Sequence, residues 1–293
     1  MKKYLTLFIV VFFALQSLSQ PFVDVLSVNH QQLNTRTKND SFSSKINNTF
    51  AGIILPIKVD SANYFILRAN AEILKSDISG NGINESYSFN SFLIGIGWQH
   101  SFSSKLSANL LVLPKISADF KDKMNEKFFQ YGASFLVQYK VKTNYRYKAG
   151  IYYNREPFGN FFVPLIGADI MLNKKNWIYG QLPLYFRYEH QFTEKFYSGL
   201  GFRFFGRSFR LSSVLNNDYI FNQENQVKIF ADYYLKSKFV IYAEAGRTLN
   251  YGLKRYGYQL KRENRIENPR VFLPINDGFF INAGVCYRIR QSF

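Results

Sequence analysis

From residue 20 onward, apolar and polar positions alternate segment after segment, and this period of two constrains the fold more than any other feature. Between 129 and 141 the odd positions are Phe129, Tyr131, Ala133, Phe135, Val137, Tyr139 and Val141, while the even ones are Gln130, Gly132, Ser134, Leu136, Gln138 and Lys140. The last segment sets Phe279, Ile281, Ala283, Val285, Tyr287 and Ile289 against Asn282, Gly284, Cys286, Arg288 and Arg290. Val227, Ile229, Ala231, Tyr233 and Leu235 alternate in the same way with Lys228, Phe230, Asp232 and Tyr234. Successive side chains of a strand point to opposite faces, so each segment has one apolar and one polar face. No helical period follows.

A soluble periplasmic β-protein would also alternate, and three features favour a membrane barrel over it. The segments run 12–16 residues, against about five or six for globular strands. Aromatics, which make up 18% of the chain, stand near the ends of the apolar faces, as in interfacial girdles. The opposite face carries Gln, Asn, Gly, Lys and Arg, which suits a lumen. The expected fold is all-β, a transmembrane antiparallel barrel closed so that no backbone group is left unpaired in lipid.

Connections alternate in length. Short turns at 60–63, 101–104, 142–144, 173–176, 193–195 and 236–238 are expected in the periplasm, and longer segments at 76–86, 119–126, 155–160, 211–223 and 253–276 outside the cell. Two short turns flank the segment 176–191, which breaks the order. A reversal near Leu182 and Pro183 restores it and gives about 14 strands; if the first segment lies partly outside the barrel instead, the count is 12.

Residues 1–19 read as a secretory signal peptide: Lys2 and Lys3, an apolar run from Tyr4, then Ser17 and Ser19 before the cut. The expected barrel domain is 20–293, in the outer membrane of a Gram-negative bacterium. The terminal Phe293, with Ile289 and Tyr287 on its face, resembles the signature read by the barrel-assembly machinery, although Gln291 departs from it. The sole cysteine, Cys286, excludes an intramolecular disulfide framework.

A more particular resemblance lies in 162–210: Val163, Pro164, Leu165, Ile166, Gly167, Ala168 and Asp169, then Trp177, Gly180, Leu182, Pro183, Tyr188 and Phe192, then Lys195 to Arg203. These residues resemble an uncharacterised family of outer-membrane β-barrels from Bacteroidetes-type bacteria, a domain of unknown function. The resemblance implies a barrel and its location, and no activity.

Little in the chain supports catalysis. His100 and His190 adjoin Ser101 and Glu189, but neighbours on a strand face opposite ways and cannot pair. His30 has no recognisable partner. A lipid hydrolase using His100 or His190 is the weakest alternative; no enzyme, metal or cofactor is expected. The excess of 37 Lys and Arg over 20 Asp and Glu invites a nucleic-acid reading, which export opposes.

Function is therefore sought on the polar face. The candidate lumen charges are Arg68, Lys140, Arg146, Lys148, Arg187, Arg203, Arg207, Lys228, Arg288 and Arg290, with Glu72, Asp169, Glu189, Asp232 and Glu244. Ten cations over five acids would favour anions in a water-filled channel. The same charges would instead close a narrow barrel if they pair across strands. The first reading gives a passive channel for small polar or anionic solutes. The second gives a structural or interaction barrel that binds lipopolysaccharide or a partner protein. The basic segment with Lys254, Arg255, Lys261, Arg262, Arg265 and Arg270 is the candidate lipopolysaccharide contact, through bidentate bonds to phosphates.

Overall fold

The computed structural model describes residues 22–36, 43–80, 83–236, 238–256, 271–272 and 277–290. The signal peptide, Phe293, and Lys261, Arg262, Arg265 and Arg270 lie outside them.

The strands are β1 (Phe22–Arg36), β2 (Ser43–Lys58), β3 (Asn63–Gly80), β4 (Ile83–Ser101), β5 (Leu106–Ala118), β6 (Phe129–Lys142), β7 (Tyr145–Glu156) and β8 (Gly159–Asn173). They continue as β9 (Asn176–Leu182), β10 (Tyr185–Gln191), β11 (Phe196–Arg210), β12 (Tyr219–Lys236), β13 (Phe239–Tyr256), β14 (Val271–Phe272) and β15 (Phe279–Arg290). Consecutive strands pair antiparallel from β1 to β13; β13 then pairs with β15, and β15 with β1, from Phe22↔Arg290 to Asn34↔Phe279. β14 adds two residues beside β13. The result is a closed 14-strand antiparallel barrel. No described helix is long and apolar enough to cross a membrane.

The period of two does what it predicts. Ile166, Phe279 and Ile281 are 70%, 70% and 67% exposed on the outside, while their neighbours Leu165 and Phe280 are buried inside at 1% each. The chain reverses at Leu182 and Pro183, so β9 and β10 are separate strands of 7 residues each. All six short turns lie at the end that holds Phe22 and Arg290.

The other end differs from expectation in detail. Most of 76–86 is strand, with Gly80 paired to Ile83. The connection expected at 155–160 is two residues long, between Glu156 and Gly159, and Gly159 takes φ 115°, a region that favours glycine. β12 already begins at Tyr219, inside the expected loop 211–223. Lys254 and Arg255 are not loop residues; they pair in strands, with Phe221 and Ile220 on one side and Phe272 and Val271 on the other.

One hairpin is shorter than its surroundings. β8 loses its β9 partner above Ile166↔Leu182, and β11 loses its β10 partner above Tyr185↔Arg203. The upper part of β11 leans across instead and meets the end of β5 at Arg210↔Ala118. The Asp119 amide donates to the Arg210 carbonyl at 2.9 Å, and Ser117 Oγ and Gln130 Nε2 donate to the Ser208 carbonyl at 2.9 and 3.0 Å. The barrel therefore has two tiers: fourteen strands at the short-turn end, and nine (β1–β5, β11–β13 and β15) in the upper ring.

That upper ring is filled. Leu33, Ile46, Leu74, Ile78, Phe89, Phe209, Leu211, Ile220 and Phe280 form one buried apolar cluster, with Phe89 and Phe209 stacked at 4.9 Å.

Candidate functional site

The lumen below the apolar cluster holds two kinds of surface: a network of ion pairs and an open chamber.

The network begins at the end that holds the short turns. Asp232 accepts from Arg187 Nη2 and Arg288 Nη1, both at 2.5 Å. Arg288 also grips Asp24 with Nε at 2.6 Å and Nη2 at 3.0 Å. Arg290 Nη2 donates to Glu189 at 2.7 Å. Aromatic rings cover the same guanidinium groups: Phe230 lies 3.3 Å from Arg187, Phe22 3.7 Å from Arg288, and Tyr197 3.8 Å from Arg290. Such contacts strengthen as water is excluded.

Further pairs line the wall. Lys148 meets Asp169 at 2.5 Å, with Arg146 at 3.7 Å from the same carboxylate. Lys228 donates to Glu244 at 2.6 Å, and Asn282 adds a bond at 3.0 Å. Arg207 of β11 reaches across the lumen to Glu72 of β3, and also lies 3.4 Å from Glu224. Gln31 and Gln226 donate to Glu224 at 2.8 and 2.6 Å. Much of the expected basic surplus is thus tied into carboxylate pairs. Removing one member of such a pair would leave a buried charge without compensation.

The chamber lies between this network and the apolar cluster, with a volume of ≈ 660 Å³. Arg68, Arg187, Arg203 and Lys228 bring positive charge to it and Asp24 negative charge, while Phe50, Leu111, Leu113, Leu165 and Phe205 supply apolar surface. Two glycines make room for this charge. A methyl group at Gly95 would lie 3.0 Å from Arg68 Cβ, and one at Gly201 would lie 3.3 Å from the Lys228 side chain. Arg203 is exposed and makes no ion pair among the described residues; its guanidinium sits 4.7 Å from the Phe205 ring. Leu184 and Tyr185, where the short hairpin turns, also line the chamber, as do Phe202 and Phe204 of β11. The chamber therefore reaches the wall where β9 and β10 stop. Above this point Phe158, at the β7–β8 turn, packs on Tyr219 and Phe221 at 6.3 and 5.4 Å.

The histidines stand apart from this chamber. His100 Nδ1 bonds Asn63 Oδ1 at 2.8 Å, and His190 Nδ1 bonds Asn176 Oδ1 at 2.7 Å, both close to short turns. His30 pairs with Thr49 Oγ1 at 2.9 Å. Among the described residues, no group of three or more His, Cys, Asp or Glu side chains could hold a metal ion. Sequence reasoning missed the apolar cluster. Its signal was present as adjacent apolar pairs that break the alternation, such as Ile73 with Leu74 and Phe279 with Phe280.

With this geometry, the chain is similar in structure to an outer membrane channel from Pseudomonas putida F1. The TM-score is 0.51 at 7% identity, covering 90% of this chain and 94% of that one. The toluene transporter TodX of Pseudomonas putida gives a TM-score of 0.41 at 9% identity, over 90% and 88%. No protein-family model and no curated protein matches the chain. The fold is that of an outer-membrane β-barrel.

Proposed function

We propose that the protein is a passive channel for small anionic solutes that carry an apolar part. The observation that carries this reading is the chamber, where Arg203 faces open space beside aliphatic and aromatic walls. A solute with one anionic and one apolar end would satisfy both surfaces, whereas a small inorganic ion would use only the first. The chamber reaches the wall above Leu184, where β8 and β11 lose their partners, so such a solute would enter there, beside the filled upper ring. The outward band itself would contact outer-membrane lipid. The basic residues between 254 and 270 would contact lipopolysaccharide phosphates, and the last strand would be read by the assembly machinery.

The test is uptake of benzenesulfonate, which stays ionised, into proteoliposomes, with a neutral sugar of similar size as the control. The sulfonate should enter faster, and Arg203→Glu should slow it by about tenfold, the effect of losing one charge-assisted bond. Equal uptake by wild type and variant would remove Arg203 from the path.

The apolar cluster favours a second reading, a barrel with a filled lumen and a structural or binding role. Absence of protein-dependent uptake of either solute would select it.

A further inference from the structure

A separate cavity of ≈ 350 Å³ lies at the short-turn end, by the β2–β3, β4–β5 and β6–β7 turns. Lys58, Lys105, Lys140 and Arg146 line it together with serine hydroxyls, and no carboxylate does. Asp60, beside it in sequence, is turned back on its own turn, accepting from the Ala62 and Asn63 amides at 2.7 and 2.9 Å. Arg146 shares Asp169 with Lys148, at the long distance of 3.7 Å. Gln138 is 2% exposed, lines the cavity, and its Nε2 makes no hydrogen bond among the described residues. A buried amide donor left unmatched is costly, and few occur in folded proteins. Here it lies beside a surplus of positive charge.

We propose that this cavity binds the phosphate group of a soluble, compact solute, with Gln138 as buried donor and Lys58, Lys105, Lys140 and Arg146 as counter-charges. A phosphate accepts several bonds at once and carries more charge than a carboxylate, which suits one amide donor among four cations. The volume, at the low end for small-molecule sites, fits a compact ligand. The site lies one inward residue below the chamber: Leu136 and Asn109 line the chamber, and Gln138 and Ser107 line the site. It faces the lumen side of the barrel, so a dissolved anion is the ligand rather than a lipid headgroup. The proposal stands whether or not the chamber conducts.

The experiment is thermal unfolding of the refolded barrel in neutral maltoside micelles, titrated with inorganic phosphate against sodium chloride at matched ionic strength, since exposed cations respond to any salt. Phosphate should raise the unfolding temperature saturably and chloride should not. Gln138→Leu should weaken the apparent affinity about tenfold, the loss expected for a bond to a charged acceptor. Lys140→Met should weaken it similarly and serves if the first variant refolds poorly. Arg203→Glu, in the chamber, should leave phosphate binding unchanged, which separates this site from the channel reading. Equal responses to phosphate and chloride, or unchanged affinity in both pocket variants, would overturn the proposal. So would stabilisation by phosphatidylglycerol in the micelle without any response to phosphate, which would assign the lysines to headgroups.

Discussion

Asp232 stands between two guanidinium groups at 2.5 Å and has a side chain only 1% exposed. Its removal would leave Arg187 only Glu189, at 3.8 Å, and Arg288 only Asp24 as ion-pair partners among the described residues. Asp232→Leu should therefore lower unfolding stability by about 3–5 kcal/mol, measured by urea titration in liposomes. A loss below about 1 kcal/mol would mean that the arginines find other partners. At the surface the same residue type behaves differently. Hydrogen bonds from the Asn63 side chain and the Ala62 amide hold Asp60 below the usual aspartate range. A lowered folded-state value means that its stabilisation is present above the ordinary aspartate value of about 4 and fades as pH falls through the lowered one. Wild type and Asp60→Asn should thus differ in unfolding temperature at neutral pH and converge in acid. A gap that persists in strong acid would show that the carboxylate charge is not responsible. Strand parity was enough to put Asp232, Arg187 and Arg288 on the inner face. It could not pair them, because Arg187 and Asp232 sit on strands separated by β11, and their meeting depends on stagger across three strands.

Among the elements, the two hairpins β3–β4 and β9–β10 share fittings at the short-turn end and differ in height. Each begins at an asparagine, Asn63 or Asn176, whose Oδ1 accepts from an aromatic polar group, Trp98 Nε1 at 3.0 Å or Tyr188 OH at 2.7 Å. Each continues into a matching sequence, His100-Ser-Phe-Ser-Ser-Lys105 or His190-Gln-Phe-Thr-Glu-Lys195, where Ser103 and Thr193 accept from their own turn amides. The repeat is legible in the sequence, and so is the early stop at Pro183. The consequence of the stop is not legible: β11, without its neighbour above Arg203, bends across to β5 and brings Phe209 into the upper ring. Phe209 is 0% exposed there, so Phe209→Ala should cost about 3–5 kcal/mol, read from the urea midpoint. Because the cluster fills the upper ring, the same variant should raise leakage of small ions across liposomes. Lost stability with unchanged leakage would locate the barrier elsewhere.

In the whole molecule, a wide lower tier and a filled upper tier hold the chamber between the short-turn end and the wall interrupted above Leu184. An aqueous pore open from end to end would pass chloride as readily as an organic anion. This barrel should not. Recordings from refolded protein in planar bilayers, with chloride replaced by benzenesulfonate on one side, test that most directly. Stepwise currents should appear, with a reversal potential reporting benzenesulfonate as more permeant than chloride and both anions exceeding potassium. A silent bilayer containing folded barrels, or a reversal potential set by potassium, would contradict it.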